Sequence, residues 1–189
     1  MALWQKAGPG WGLAASGIDV VKGIGTVYIV RSLDFDIGIV VLAGLAAACG
    51  QMWPVFKRFD GEKGNTTGFG AAVAIAVWPT LLALIPVFLA IFSKLLKALR
   101  LKNVPKAQRF KTGAGQSAAL PVGVALAFII LPVTAWLFDE PRPVVWGFAG
   151  LALLIFFRRL TAGLTEDLKT GASRREILRR RLLLDRAVE

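Results

Sequence analysis

Histidine is absent from the 189-residue sequence, and cysteine occurs only once, as Cys49. Without histidine, the chain has no Ser-His or Cys-His catalytic pair and no histidine proton shuttle. A single cysteine inside an apolar run excludes a disulfide framework within the chain and a cysteine metal cluster. We therefore expect neither a metal ion nor a cofactor to take part in the function.

Acidic residues are also scarce. The 12 Asp and Glu residues stand against 23 Lys and Arg residues, which gives a formal net charge of +11. Such an excess occurs in nucleic-acid-binding proteins, where it neutralises phosphates. It also marks the cytoplasmic loops of multi-span membrane proteins. Because the apolar residues of this chain form long blocks, we favour the second interpretation and expect no nucleic-acid partner.

Hydrophobic residues make up 56% of the sequence and are concentrated in long blocks rather than in amphipathic stripes. A helix needs roughly 20 apolar residues to cross the hydrocarbon core of a bilayer. The predicted fold is therefore an all-α, polytopic integral membrane bundle of about five to six membrane segments. The blocks are Leu13–Val30, Ile37–Phe56, Gly68–Leu96, Ala118–Phe138 and Val144–Phe157.

The third block, Gly68–Leu96, contains Pro79 in its middle. Proline removes a backbone donor and clashes with the preceding turn, so it disrupts a helix interior. If the block crosses the membrane once, the polar segments before and after it lie on opposite sides. If a short helix ends at Trp78 and a second one starts at Thr80, both segments lie on the same side. We favour this broken hairpin, because it places every basic loop on one face.

The chain reads as one membrane domain, residues 1–163, followed by a charged tail, residues 164–189. Lysine and arginine concentrate in this tail and in Leu99–Gly115, whereas the short links Arg31–Asp36 and Asp139–Arg142 are mixed in sign. Positive charge favours the cytoplasm, so we predict a multi-pass protein with its basic loops and tail cytoplasmic. The N-terminal segment lacks the apolar core of a signal peptide, and we expect insertion to depend on the internal spans. The tail fits a basic amphipathic helix on anionic lipid or a solvated end.

The polar loop Lys57–Thr67 precedes an apolar helix and contains Gly61, Lys63, Gly64 and Thr66. Glycines let backbone amides turn toward a ligand, and a helix N-terminus adds positive partial charge. Lysine supplies a mobile full charge, and threonine hydroxyls donate to phosphate oxygens or cap the helix. These parts describe an anion cradle, although its spacing is not that of a Walker A loop. The alternative is an ordinary interfacial loop in which Thr66 or Thr67 is the N-cap.

Asp19 and Lys22 lie inside the first apolar block. Ionisable residues are costly in a membrane and usually face a cavity or each other. At a spacing of three residues, the two side chains share a helix face and can pair. The alternative is that the helix begins later and both side chains lie at the membrane surface.

Three strings in this order resemble the bacterial acyl-phosphate-dependent glycerol-3-phosphate acyltransferases. The segment Asp19-Val-Val-Lys22-Gly23 resembles the D-x-x-K-G segment of the family. The string from Gly50 to Thr67 is similar to its G-H-x-F-P-V-F and K-F-K-G-G-K-G-V-A-T motifs, and Arg158 begins a stretch like its basic R-L-L-x-G end. The resemblance covers about Leu13–Gly163, that is, most of the membrane domain.

The resemblance implies transfer of an acyl group from acyl-phosphate to the sn-1 hydroxyl of glycerol-3-phosphate at the bacterial plasma membrane, giving lysophosphatidic acid for phospholipid synthesis. It implies catalytic roles for Lys63, Gln51 and Asp19. Membrane lipids are the expected surroundings, and the oligomeric state is left open. The residues implied to bind substrate phosphate are Gly61, Lys63, Gly64, Thr66, Thr67 and Lys22, with Ser117 and Arg158 as further candidates.

The chain also departs from the family pattern. Gln51 stands where the motif has histidine, Glu62 stands where it has a second glycine, and the S-G-N-x-G-A-T-N motif has no counterpart. Glutamine hydrogen-bonds but does not exchange a proton near neutral pH. These departures favour one alternative to an active enzyme, a non-catalytic lipid- or phosphate-binding protein on the same scaffold. A separate alternative is an unrelated small transporter or assembly subunit, with its substrate site at the Pro79 break.

Overall fold

The computed structural model describes residues 9–59, 61–100, 119–162 and 181 of the chain. All regular elements in these residues are helical, as predicted: seven α-helices and a 3₁₀ helix, Val55–Lys57. The α-helices are α1 (Pro9–Ser32), α2 (Ile37–Met52), α3 (Asn65–Ile75), α4 (Val77–Ala83), α5 (Ile85–Arg100), α6 (Ala119–Leu137) and α7 (Arg142–Thr161). Most of the predicted basic segment before α6, and the tail apart from Arg181, lie outside the described residues.

Four segments in the described ranges are long and apolar enough to cross a membrane: α1, α2 together with the 3₁₀ turn (Ile37–Lys57), α6 and α7. Helices α4 and α5 pass the same test as a pair, bent by 43° at the break between them. Large apolar side chains such as Trp146 and Leu153 are exposed on the outer surface. Lipid tails are the solvent that suits such a surface. The chain is therefore a polytopic integral membrane bundle, and the predicted apolar blocks correspond to its helices.

The break in the third apolar block is at Ala76, so the prediction of a break at Pro79 is wrong. Helix α3 ends at Ile75, and Ala76 has an extended backbone with φ −144° and ψ 99°. If one helix continued, the Pro79 ring would clash with the carbonyl group of Ile75, four residues earlier. Pro79 instead lies in the first turn of α4, where an amide has no intrahelical acceptor to lose.

Helix α3 is a short helix that begins beside the end of α2 and ends beside the end of α1. At its start, Gly64 lies against the side chain of Met52. At its end, the Arg31 guanidinium donates to the carbonyl oxygens of Ala74 at 3.2 Å and Ile75 at 3.4 Å. The last carbonyl groups of a helix have no intrahelical donor and need one from elsewhere. Arg31 thus stabilises the break.

Helices α4 and α5 run in the opposite direction to α3, which gives the predicted hairpin. They pack antiparallel to α6. Thr134, near the end of α6, donates from Oγ1 to the carbonyl oxygen of Pro79 at 3.0 Å. Gly123, near the start of α6, lies against the carbonyl group of Pro86. The loop before α3 and the end of α5 therefore lie at the same end of the bundle.

Glycine allows α1 and α3 to pack with their backbones in contact. A Cβ atom on Gly23 would lie 2.2 Å from the carbonyl oxygen of Thr67 and 2.7 Å from the amide nitrogen of Ala71. A Cβ atom on Gly70 would lie 2.3 Å from the carbonyl oxygen of Val20. Small residues favour helix association in lipid because they permit this close approach. The glycine of the Asp19–Gly23 segment is thus a packing residue.

The centre of the bundle is filled by apolar side chains from α2, α6 and α7, including the fully buried Met52, Phe128 and Ile155. Phe128 stacks on Phe69 of α3, with ring centroids 4.2 Å apart. Close packing of this kind fixes the position of α7 against α2 and α6. The last turn of α7 is thereby brought to the loop that precedes α3.

Candidate active site

The loop between α2 and α3 folds back onto the end of α2. The amide of Gly61 donates to the carbonyl oxygen of Met52 at 3.2 Å, and the amide of Glu62 donates to that of Gln51 at 3.1 Å. Arg58 and Phe59 complete the turn with positive φ angles of 52° and 64°. Such angles cost energy in residues other than glycine, and they persist where the surroundings impose them.

Gly61 is required by this fold of the loop. A Cβ atom at this position would lie 2.3 Å from Cδ of Pro54, 2.4 Å from the carbonyl oxygen of Gln51 and 2.8 Å from that of Met52. The Gly61 amide also already has an acceptor, as does that of Glu62. The Gly61–Gly64 run therefore offers a phosphate fewer amides than the sequence led us to expect. Gly61 acts on the site by allowing close approach of the loop to α2.

Gly64 begins α3 as its N-cap, with a φ angle of 71° that favours glycine. The prediction of Thr66 or Thr67 as the N-cap is wrong, because both lie in the first helical turn. The amides of this turn have no intrahelical acceptor and carry the positive end of the helix dipole. The N-terminus of α3 is therefore the part of the loop region with donors that suit an anion.

Two buried polar atoms lie in this first turn. Thr67 is 1% exposed, and the structure gives its Oγ1 no hydrogen-bond partner. The Oδ1 of Asn65 is buried in the same way. Asn65 was not singled out from the sequence, although a polar amide among glycines and threonines at a helix start was a usable signal. Buried polar atoms without a partner are uncommon in proteins, and they often mark functional positions.

Asp19 and Lys22 do pair, as one of the two alternatives predicted. The ammonium of Lys22 donates to Oδ1 of Asp19 at 3.0 Å, and the same oxygen accepts a hydrogen bond from Nε2 of Gln51, also at 3.0 Å. Asp19 is buried, whereas the Lys22 side chain is 54% exposed. The carboxylate is thus held between α1 and α2, and the ammonium group of Lys22 remains accessible.

Arg158, in the last turn of α7, binds the loop directly. Its Nη2 donates to the carbonyl oxygen of Gly61 at 2.8 Å, and its Nε lies 3.5 Å from that of Glu62. The guanidinium group also lies 5.9 Å from the centroid of the Trp53 ring. A planar guanidinium suits two carbonyl groups and an aromatic face at once. Arg158 therefore fixes the loop against the end of α7.

These contacts join the predicted residues into one network at one end of the bundle. The Asp19 carboxylate accepts a hydrogen bond from the side chain of Gln51. The backbone carbonyl oxygen of Gln51 accepts one from the amide of Glu62, and the Arg158 guanidinium donates to the carbonyl oxygen of Gly61. Lys63 lies between Glu62 and the N-cap of α3 and is partly exposed. Ser117, also predicted, lies outside the described residues. With its lysine and arginine side chains and a helix N-terminus, the arrangement is suited to a phosphate-bearing ligand.

Within the described part of the chain, no group of three or more His, Cys, Asp or Glu side chains is placed to hold a metal ion. The positive charge that the described residues bring to the site comes from lysine and arginine side chains and from the helix N-terminus. The role of Arg31 was not predicted from the sequence, because a basic residue in a short link indicates only on which side of the membrane that link lies. Nor was that of Arg181, which lies in the tail and whose contacts depend on the folded end of α7.

The sequence matches the model of the family described as "Glycerol-3-phosphate acyltransferase" over residues 1–162. It is 32% identical over 190 residues to glycerol-3-phosphate acyltransferase 4 of Dehalococcoides mccartyi (strain CBDB1), covering 97% of this chain and 71% of the relative. It is 34% identical over 131 residues to a glycerol-3-phosphate acyltransferase of Synechococcus sp. (strain CC9902), covering 67% of this chain and 64% of the relative.

The fold is similar to solved structures of PlsY (YgiH), an integral membrane glycerol 3-phosphate acyltransferase. The lysophosphatidic acid form aligns with a TM-score of 0.63 and 22% identity, over 94% of this chain and 80% of that chain. The glycerol 3-phosphate form aligns with a TM-score of 0.64 and 22% identity, over 93% and 78%. The structural likeness in fold agrees with the sequence matches. The chain belongs to the glycerol-3-phosphate acyltransferase family of integral membrane proteins.

Proposed function

We propose that this membrane glycerol-3-phosphate acyltransferase uses acyl-phosphate as its acyl donor and acylates the sn-1 hydroxyl of glycerol-3-phosphate. The products are lysophosphatidic acid and inorganic phosphate. Both substrates carry phosphate, and the donor also carries a long apolar chain. A site at one end of an apolar bundle, beside the last turn of a membrane helix, suits this pair of substrates.

The observation that carries the proposal is the network of hydrogen bonds that holds the loop before α3. Arg158 binds the Gly61 carbonyl, and the end of α2 binds the Gly61 and Glu62 amides. Lys63 is thereby held next to the N-terminus of α3. A full charge on lysine and the partial charge of a helix N-terminus both favour a phosphate dianion.

The chemistry needs no covalent enzyme intermediate, because acyl-phosphate is already an activated mixed anhydride. The sn-1 oxygen attacks the acyl carbonyl carbon, and the bond from that carbon to the phosphate oxygen breaks. The hydroxyl proton passes to the leaving phosphate, which departs as hydrogen phosphate. Charge develops on the leaving phosphate, so fixed cations and amide donors stabilise the transition state. Orientation of two bound substrates contributes a further part of the rate.

In this proposal Lys63 and the first turn of α3, with Gly64, Thr66 and Thr67, bind one substrate phosphate. Lys22 lies on the neighbouring helix and neutralises the second phosphate. The Asp19 carboxylate orients the Lys22 ammonium, to which it is bonded at 3.0 Å.

Gln51 stands at the position of the histidine in the family motif and has a positioning role here. Its amide holds the buried Asp19 carboxylate at 3.0 Å. This role needs a hydrogen-bond donor and no proton exchange, so glutamine satisfies it.

We propose further that the protein resides in the bacterial plasma membrane with this end of the bundle facing the cytoplasm. Lys57, Arg58, Lys63, Arg158 and Arg159 all belong to this end, and positive charge favours the cytoplasmic side. In a Cys49→Ala background, a single cysteine in place of Glu62 should react with an impermeant maleimide only after the membrane is opened. Labelling of intact cells would overturn this orientation.

Activity is tested with purified full-length protein, an acyl-phosphate and labelled glycerol-3-phosphate, with lysophosphatidic acid as the measured product. We expect turnover by the wild-type protein and a loss of about 100-fold or more in Lys63→Ala, since a transition-state charge loses its partner. Lys57→Ala removes a lysine from the same loop, six residues away and outside the proposed cradle. It should keep close to wild-type activity and thus controls for net charge.

Two outcomes would contradict the proposal. Wild-type turnover that Lys63→Ala leaves unchanged would overturn the phosphate-binding role of this loop. Binding of glycerol-3-phosphate without any turnover, with acyl-phosphate or other activated acyl donors, would identify a non-catalytic phosphate-binding protein on the same scaffold. The family match over residues 1–162 excludes an unrelated small transporter.

A further inference from the structure

We propose that Arg181, from the C-terminal tail, is a positioning residue for the acyl-transfer site. It binds the end of α7 and thereby keeps Arg158 on the carbonyl group of Gly61. The expected effect on turnover rests on the proposed function. The expected effect on the loop rests only on the contacts of Arg181 and Arg158. Arg181 lies beyond residues 1–162, over which the family model matches the chain.

Arg181 is 3% exposed and donates from Nη1 to the carbonyl oxygens of Leu160, at 3.1 Å, and Ala162. Both acceptors lie at the end of α7, where the last carbonyl groups of a helix have no intrahelical donor. A buried guanidinium is costly unless its hydrogen bonds are made. Arg181 therefore supplies the donor that the α7 terminus lacks, through Nη1, and the cation also suits the negative end of the helix dipole.

The residues that Arg181 binds belong to the same turn as Arg158. The amide of Ala162 donates to the carbonyl oxygen of Arg158 at 2.9 Å and closes this turn. Thr161 adds a hydroxyl bond to the carbonyl oxygen of Phe157 at 3.0 Å. Helix ends fray when their terminal groups lose their partners, so loss of Arg181 loosens the turn that carries Arg158.

Loosening of the last turn of α7 affects the loop before α3 through Arg158. Its 2.8 Å bond to the Gly61 carbonyl joins α7 to the backbone that leads to Lys63. Catalytic geometry is sensitive to small displacements, even those that arise away from the reacting atoms. Arg181 therefore acts through Arg158 on the phosphate-binding loop and has no contact with substrate in this proposal.

The experiment compares full-length wild-type protein with Arg181→Ala, Arg181→Lys and Arg142→Ala, the last as a charge-matched control at the opposite end of α7. We expect kcat/KM for glycerol-3-phosphate to fall about tenfold in Arg181→Ala, the size typical of a lost charged hydrogen bond. Arg181→Lys should recover part of this loss, and Arg142→Ala should match the wild type. Because Arg181 acts through Arg158, the double variant Arg158→Ala/Arg181→Ala should be no less active than Arg158→Ala alone.

Hydrogen–deuterium exchange of the substrate-free proteins supplies a readout that is independent of activity. We expect Arg181→Ala to speed exchange at the Gly61 and Glu62 amides while leaving the α6 segment around Phe128 unchanged. Unchanged exchange in the loop, or faster exchange throughout the bundle, would overturn the positioning role. If the wild type proves inactive but the loop still loosens selectively, the positioning inference stands and the proposed function fails.

Discussion

Arg158 donates from Nη2 to the carbonyl oxygen of Gly61 at 2.8 Å, although the two residues are 97 positions apart in the chain. This hydrogen bond joins the last turn of one membrane helix to the loop that precedes another. It holds the loop that, in our proposal, binds a substrate phosphate. Arg158 is 6% exposed, so the bond is largely shielded from solvent.

Replacement of Arg158 should therefore impair catalysis more than it impairs folding. A charged hydrogen bond contributes about 1.5–3 kcal/mol, so we expect Arg158→Ala to lower kcat/KM by roughly 10- to 100-fold. Arg158→Lys should lie between this variant and the wild type, because an ammonium cannot match two carbonyl groups with the same geometry. The control is Arg142→Ala, at the opposite end of α7. Equal kinetics of Arg158→Ala and the wild type would refute the role of this bond.

Gly61→Ala should displace the loop, because its Cβ atom would lie 2.3 Å from Pro54 and 2.4 Å from the Gln51 carbonyl oxygen. We expect an overpacking cost of about 1–3 kcal/mol and a large rise in KM for glycerol-3-phosphate. Gly50→Ala is the matched control, since a Cβ atom there has no atom within 4 Å. Thermal unfolding in detergent and steady-state kinetics measure both effects. A fully active Gly61→Ala protein would mean that the loop tolerates another path.

Gly23→Ala tests the close contact of α1 with α3. Its Cβ atom would lie 2.2 Å from the Thr67 carbonyl oxygen, so α1 must move away from the helix that carries the proposed phosphate site. We expect destabilisation of about 1–3 kcal/mol, visible as a lower midpoint of thermal unfolding. Gly25→Ala, on the same helix, has open space around its Cβ atom and should be neutral. Identical unfolding midpoints for the two variants would contradict the packing described here.

Substitutions of Gln51 separate its role as a donor from other effects. Gln51→Ala leaves the buried Asp19 carboxylate with one bond fewer and should lower kcat about tenfold, in line with about 1–3 kcal/mol for a lost buried bond. Gln51→Glu is nearly isosteric but places a second carboxylate against Asp19, so its loss should be larger. Gln51→His retains a ring N–H donor and should be the mildest of the three. A Gln51→Glu protein with kinetics like the wild type would exclude the donor role.

Much of the fold follows from the apolar blocks alone. The ends of α1, α2, α6 and α7 lie within a few residues of the predicted blocks, since a membrane helix must satisfy its own backbone and needs a set length. The position of the break was harder to predict, because proline acts on the carbonyl group four residues earlier. Ala76 therefore ends the helix, and the Arg31 side chain that stabilises the break comes from a distant segment.

The site was less predictable than the fold. Local rules identified Gly61, Lys63 and Gly64 as candidates for an anion-binding loop and gave pairing of Asp19 with Lys22 as one of two alternatives, because these depend on residue type and short spacing. The same rules could not assign the hydrogen bonds of the loop. The Gly61 and Glu62 amides are occupied by carbonyl groups of α2, which only the path of the folded chain reveals.

By itself, therefore, the sequence determined the membrane setting, the helical class and the positions of the phosphate-binding candidates, and it favoured the hairpin over a single crossing. Hydrophobic length, charge bias and proline sterics are properties of contiguous residues, and they need no knowledge of neighbours in space. Tertiary structure decided which of these candidates meet: Asp19 with Gln51, Gly61 with Arg158, and Arg181 with the end of α7. Such pairs are set by helix packing across many intervening residues, since close contact of Gly23 and Gly70 with opposing backbones fixes how the helices lie together.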